Sequence, residues 1–334
     1  MPKVSIVMPL YNKEAFVSNS IESVLRQSFS DYELIIINDG STDGSGAIAD
    51  SYGLKDSRIH VLTIENAGVS NARNVGLSNS KGEWIQFLDA DDTIEADYLE
   101  KAISLLNDNP ADILFSDFTM VDENETVVKE VLSGKQGICN SKQLCDNYMK
   151  LQDQNGFFGY ISNKLFRRDV LSRSGAKFST LIKLAEDLDF YSQLYPYIKT
   201  ACFSDIRSFR YLQTEQNYIH DDDIDYMSQV QVQMDIREWF IRTGMYECYR
   251  ERLNKKVAEY VFFSLFYEYE RKQDCKDKFR HLTQKKEVCS CIELNQHRVF
   301  VGAVLYGVKT NQEWIVSALL CMRMNIRNIY RRFR

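Results

Sequence analysis

Between residues 4 and 116, short apolar runs alternate with longer stretches in which apolar residues recur at helical spacing. Residues 4–9, 33–38, 59–64, 83–88 and 113–116 are continuous or nearly continuous apolar runs and predict strands. The run Leu34-Ile35-Ile36-Ile37 has no polar alternation, as in a strand covered on both faces. Between these runs lie helical patterns. Phe16, Ile21, Val24 and Leu25 mark the first, with Asn12 placed to cap it. Ala47-Ile48-Ala49 marks a short second helix, residues 69–77 a third, and residues 95–106 a fourth that Asp92 or Thr93 is placed to cap. From 120 to 220 the pattern is mixed. From 226 to 290 it is helical again, through Val230, Met234, Trp239, Val257, Val261 and Leu265.

The alternation of strand and helix predicts an α/β protein with a doubly wound, mostly parallel sheet and right-handed crossovers. Ligands of such sheets sit at the carboxyl ends of the strands. The residues that follow the first four strands are Leu10-Tyr11-Asn12, Asn38-Asp39-Gly40-Ser41, Glu65-Asn66-Ala67-Gly68 and Asp89-Ala90-Asp91-Asp92. Four polar clusters are thereby predicted to share one edge.

Length and composition narrow the picture. At 334 residues the chain has room for about two domains. With 44% hydrophobic and 26% charged residues it reads as a soluble globular protein, and 4 prolines and 15 glycines exclude a collagen-like chain. The net charge of −6 is uneven: residues 250–334 carry 18 Lys/Arg against 9 Asp/Glu, so residues 1–249 carry −15. An acidic body argues against nucleic-acid binding. No secretory signal is expected at the start, and the apolar run 299–308 is too short to span a bilayer. The eight cysteines are scattered and predict reduced thiols. His281, Cys289, Cys291 and His297 lie near one another, but their spacing matches no zinc pattern.

The polar clusters carry the candidate chemistry. Oxygen ligands such as those of Asp89-Ala90-Asp91-Asp92 suit Mg²⁺ or Mn²⁺, which one or two carboxylates hold together with substrate phosphates. Arg73 follows Gly68 at the start of the third helix, where a guanidinium and a helix N-terminus both suit an anion. Alone, each of these residues has an ordinary alternative: a helix cap, a surface arginine, a turn.

Together they resemble a family. The segments Ser5-Ile6-Val7-Met8-Pro9-Leu10-Tyr11-Asn12, Asn38-Asp39-Gly40-Ser41-Thr42-Asp43, Asn66-Ala67-Gly68 with Ala72-Arg73-Asn74 and Gly76, Phe87-Leu88-Asp89-Ala90-Asp91-Asp92, and Glu186-Asp187 occur in the order seen in family 2 glycosyltransferases of the GT-A fold. The resemblance covers about residues 3–215. It implies a metal-dependent, inverting transferase that moves a hexosyl or N-acetylhexosaminyl group from a nucleotide-diphospho-sugar, most often UDP-linked. By the family pattern Pro9, Tyr11 and Asp39 hold the uracil, Arg73 lies near the nucleotide, and Asp89 touches the ribose. Asp91 holds Mn²⁺ or Mg²⁺ on the diphosphate, Glu186 lies on the acceptor side, and Asp187 is the catalytic base. Two departures fall on the acceptor side: Ser162 precedes Asn163-Lys164-Leu165-Phe166 where the family often has Trp, and Tyr211-Leu212-Gln213-Thr214 lacks the usual Arg- and Ser-rich pattern.

The reading is therefore a catalytic domain over 1–220 and a helical C-terminal extension over 221–334. Its last segment, 321–334, contains five arginines and no acid, interleaved with apolar residues. If helical, it suits an anionic membrane surface. The expected partners are a UDP-sugar, a glycan or lipid-linked acceptor, and the inner face of a cell membrane reached from the cytoplasm, in surface polysaccharide assembly. A catalytically inactive nucleotide-sugar- or glycan-binding module would need to have lost its base or metal site, whereas Asp91 and Asp187 are both present.

Overall fold

The computed structural model describes residues 1–334 apart from 183, 215–224, 271–274, 294–298 and 333–334, and apart from the side chains of 268, 270, 275 and 324–332. Val4–Leu10 (β1) and Tyr32–Asp39 (β2) are buried along their whole length, as strands with helices over both faces must be. With Ile59–Ile64 (β3) and Trp84–Phe87 (β4) they form a parallel block in the order β3-β2-β1-β4. The chain moves outward from β1 to β3 and then returns to the far side of β1. The topological switch, where such sheets open a crevice, therefore lies between β1 and β4. Val17–Leu25 (α1), Ser45–Gly53 (α2) and Val69–Asn79 (α3) make the crossovers, and Tyr98–Asp108 (α4) follows.

Beyond β4 the sheet continues through Thr93–Ile94 (β5), Ile113–Val121 (β6), Val127–Val131 (β7), Gly137–Asn140 (β8), Lys164–Arg167 (β9) and Thr200–Leu212 (β10). Strand β9 runs antiparallel between β4 and β6, and β10 lies parallel to β6. Ser141–Asn155 (α5), Arg168–Ser174 (α6) and Glu186–Leu194 (α7) pack on this half.

Two caps expected from the sequence do not form. Asn12 takes a left-handed φ of 50°, and α1 starts five residues later behind Phe16, with no side-chain cap. The Asn12 side chain instead accepts the Thr42 N–H (2.8 Å), which ties the loop after β1 to the loop after β2. Asp92 and Thr93 do not cap a helix at Glu95 either. Thr93–Ile94 pairs with β10 as β5, and α4 begins only at Tyr98.

Residues 1–220 and 221–334 form two compact units. The second contains Tyr226–Arg242 (α8), Tyr246–Glu270 (α9), Cys275–Gln284 (α10), Lys286–Ser290 (α11), Val299–Lys309 (α12) and Glu313–Arg332 (α13). Val257, Val261, Leu265, Phe279, Leu282 and Leu305 lie in its core. Within it, Cys289 donates weakly to the Leu282 and Thr283 carbonyls, Cys291 is buried against Met234, and His281 is exposed. His297 lies outside the described residues. Among the described residues no group of three or more His, Cys, Asp or Glu is gathered for a metal, and no helix is long and apolar enough to cross a membrane.

Candidate active site

The carboxyl ends of β1 to β4 enclose a cleft of about 370 Å³. Pro9, Tyr11, Asp39, Arg73, Asp89 and Asp91, which the sequence distributes over more than eighty positions, all line it. Asp39 is buried and works on its neighbours. Its two carboxylate oxygens accept the N–H groups of Ala67 (2.9 Å) and Gly68 (2.8 Å), while the Asn66 amide donates to its main-chain carbonyl (2.8 Å). The turn so held needs a glycine, because Gly68 sits at φ 90° immediately before α3. Tyr11 is 47% exposed, a ring available to a planar partner.

Arg73 is the electrostatic centre. It is 4% exposed, and Nη1 donates to Glu186 Oε1 and Asp187 Oδ1, both at 3.0 Å, while Nη2 donates to Asp89 Oδ1 at 3.0 Å. Its guanidinium also lies over the Phe178 ring, 5.4 Å from the centroid. Burial alone would weaken its charge, but the carboxylates of Asp187, Asp89 and Glu186 outweigh that and raise its pKa. Glu186 and Asp187 do not line the cleft themselves; they meet it through Arg73. Both open α7, whose N-terminus favours acids. Burial pushes Asp187 up to about 7, with Glu186 and Asp89 adding to the rise and Arg73 and Lys164 opposing it.

The acidic turn after β4 splits its three carboxylates. Asp89 faces Arg73, and Asp91 faces the cleft, where its Oδ2 lies 2.6 Å from Lys13 Nζ. Asp92 turns inward, accepts the Leu212 N–H at 2.9 Å and leaves its second oxygen without a partner. Burial, with Asp91 and Asp89 nearby, raises its pKa well above the usual carboxylate range.

The sequence model described as "Glycosyl transferase family 2" matches residues 5–175. This chain belongs to that family. Among relatives of this family 2 chain, the uncharacterized glycosyltransferase EpsJ of Bacillus subtilis is 34% identical over 191 residues, which are 57% of this chain and 55% of EpsJ. TuaG of the same organism, named for teichuronic acid biosynthesis, is 33% identical over 138 residues, 41% of this chain and 55% of TuaG. The matches thus span about half the length of these relatives. In structure, residues 1–349 of S. aureus TarS, solved in complex with UDP, superpose with a TM-score of 0.66 at 18% identity, over 99% of this chain and 92% of that one. The fold is accordingly of the GT-A type, with a helical C-terminal region.

Several residues in and around this cleft escape a reading of the sequence. Lys13 and Tyr211 both line the cleft, yet one is a single loop lysine and the other a single strand aromatic, with no pattern to mark them. Tyr211, read above with the acceptor side, stands on the wall of the Asp39–Asp89 cleft. Ser162, at the first departure, is buried, and its carbonyl accepts the Gln86 amide at 2.6 Å. Lys164 is fully buried and donates to the carbonyls of Phe158 (3.3 Å) and Tyr160 and to Asn163 Oδ1 (2.8 Å). Ala185, a non-glycine residue at φ 60°, turns the chain into α7 immediately before Glu186 and Asp187; such strain collects at functional sites.

Asp91 offers a carboxylate inside the cleft, where Lys13 pairs with it. A cation held by one carboxylate and a substrate diphosphate needs no further protein cage.

Proposed function

We propose that this chain transfers a sugar, with inversion, from a UDP-sugar to a hydroxyl of a glycan or lipid-linked acceptor during surface polysaccharide assembly. One observation carries the reading: a single buried guanidinium, Arg73, holds both the acid at the donor cleft, Asp89, and the acid outside it, Asp187. Donor-facing and acceptor-facing carboxylates are thus fixed relative to each other. In this reading the uracil rests among Pro9, Tyr11 and Asp39, and the ribose beside Asp89. Asp91 would hold a Mn²⁺ or Mg²⁺, which would supply positive charge for the leaving diphosphate, and Lys13 adds positive charge in the same cleft.

Asp187 accepts the proton of the acceptor hydroxyl. The acceptor oxygen then forms its bond to the anomeric carbon from the face opposite the phosphate. The bond from that carbon to the phosphate oxygen breaks, its electron pair leaves with UDP, and the configuration inverts. Support for a nucleotide-diphosphate ligand comes from the cleft's composition, and for the pathway class from relatives such as TuaG. Residues 221–334 then serve as the helical unit that brings the catalytic unit to an anionic membrane surface.

The test is release of UDP from a panel of UDP-sugars with Mn²⁺ and glycan or lipid-linked acceptors. Asp187→Asn is expected to slow release at least about 100-fold with UDP affinity retained. Release at the wild-type rate would overturn the base assignment. UDP binding without turnover over a broad acceptor panel would make the chain a binding module.

A further inference from the structure

The segment between α6 and α7 is gripped from two sides by side-chain amides. From α3, Asn74 Nδ2 donates to the Phe178 carbonyl (2.8 Å), and its Oδ1 accepts the Phe178 N–H (2.9 Å). From α7, Gln193 Nε2 donates to the Lys177 carbonyl (3.1 Å), and its Oε1 accepts the Lys177 N–H (3.2 Å). A carboxamide has the donor and acceptor of a peptide group, so each side chain pairs with the main chain as a neighbouring strand would. Two residues of chain therefore link α3 to α7.

The packing makes this link relevant to the reacting groups. The Phe178 ring stacks on Phe190 of α7 with centroids 4.1 Å apart and planes 2° from parallel. It meets Phe87 of β4 edge-on at 5.3 Å, and it lies under the Arg73 guanidinium. One ring thus touches the strand that leads to Asp89, the helix that begins with Glu186-Asp187, and the arginine that joins them. Asn74 is also out of place by local preference, since asparagine is a poor residue inside a helix; a tertiary contact accounts for it.

We propose that Asn74 and Gln193 are positioning residues for the transfer step, their amides clasping Lys177-Phe178 so that Asp187 keeps its distance from Arg73 and from the donor cleft. This rests on the reading of Asp187 as the base, and it adds two residues that touch neither donor nor acceptor.

Asn74→Ala and Gln193→Ala separate this role from simple support of the fold. Hydrogen exchange on the substrate-free protein comes first, because it needs no known acceptor. The amides of residues 189–194 are expected to exchange about tenfold faster in either variant, with those of β2 unchanged. Unchanged exchange in α7 would overturn the proposal. In the UDP-release assay kcat is expected to fall about tenfold or more while UDP affinity stays within about twofold. Neither variant should slow the residual turnover of Asp187→Asn further, because the clasp acts through that carboxylate. An equal loss of UDP affinity, or an equal further loss in the Asp187→Asn background, would also overturn it. If Asn74→Ala does not fold, Asn74→Asp, which keeps the acceptor for the Phe178 N–H, carries the same measurements. Absence of UDP release by the wild type counts against the proposed function alone and leaves the exchange result to decide the clasp.

Discussion

Arg73 carries one positive charge against the three carboxylates of Asp89, Glu186 and Asp187, all within 3.0 Å of its two terminal nitrogens. The balance is negative, which is why burial can push Asp187 up to about 7 although an arginine touches it. The sign of the consequence follows. A base works when deprotonated, so kcat/KM is expected to rise about tenfold per pH unit below about 7 and to level off above it. A flat profile between pH ~5 and ~8 would contradict this role for Asp187. Arg73→Lys keeps the charge but loses the fork that reaches three acids at once. The variant is expected to be about 3 kcal/mol less stable in urea unfolding, and the acid limb of its rate profile should move to higher pH as the pull on Asp187 weakens. At this scale the sequence is legible only where residues form a pattern. Asp89 and Asp91 stand in an acidic turn after a strand. Asp187 stands in the acidic stretch Glu186-Asp187-Leu188-Asp189, which alone reads as a helix start, and its role as base enters through the family resemblance. Lys13 and Tyr211 have no pattern and become visible once the fold brings them to the cleft.

Helix α3 has the sequence Val69-Ser70-Asn71-Ala72-Arg73-Asn74-Val75-Gly76-Leu77-Ser78-Asn79, and little of it favours a helix. Its residues are explained by what they touch: Arg73 the carboxylates, Asn74 the Phe178 main chain, and Gly76 strand β1. A Cβ on Gly76 would come 2.3 Å from Val7 Cγ1, so the helix lies against the sheet at glycine distance and Arg73 reaches across to α7. Gly76→Ala is expected to cost about 1–3 kcal/mol in denaturant unfolding despite alanine's better helix propensity. If stability rose, the contact would not be close. Strands β1, β2 and β3 are legible because their apolar runs lie where the sequence predicts them. The helix starts are not, because Asn12 is drawn to Thr42 across the cleft edge, and Asp92-Thr93 is drawn to β10. Both are tertiary partners that outcompete a local cap, and neither is encoded near the residues concerned. The antiparallel β9 between β4 and β6 is likewise a matter of topology that periodicity alone leaves open.

The whole molecule joins a catalytic-type unit of negative charge, with 21 Lys/Arg against 31 Asp/Glu over 1–220, to a helical unit of slight positive charge, with 20 Lys/Arg against 16 Asp/Glu over 221–334. The excess gathers at the end, where 321–334 holds Arg323, Arg327, Arg331, Arg332 and Arg334 without an acid, and Glu313–Arg332 is helical throughout. On α13 Trp314 is 72% and Met322 60% exposed, with Ala318 and Cys321 exposed between them. At spacings of four, seven and eight residues these fall on one side of the helix. Exposed apolar residues on one side of a helix that leads into a basic segment suit an interfacial helix. Arg323 lies over the Phe300 ring, 4.8 Å from its centroid, and each of the other four arginines, near an anionic surface, is expected to contribute about 1 kcal/mol, weakened by salt. Deleting 321–334 is therefore expected to abolish co-sedimentation with vesicles containing anionic lipid while leaving UDP affinity unchanged. Replacing Arg327, Arg331, Arg332 and Arg334 with glutamine separates charge from apolar contact: binding should fall at least tenfold on anionic vesicles, and the remainder should lose its salt dependence. Equal recovery of wild type and deletion on anionic vesicles would return α13 to an ordinary solvated helix, and the acceptor would then have to reach the cleft without a membrane to present it.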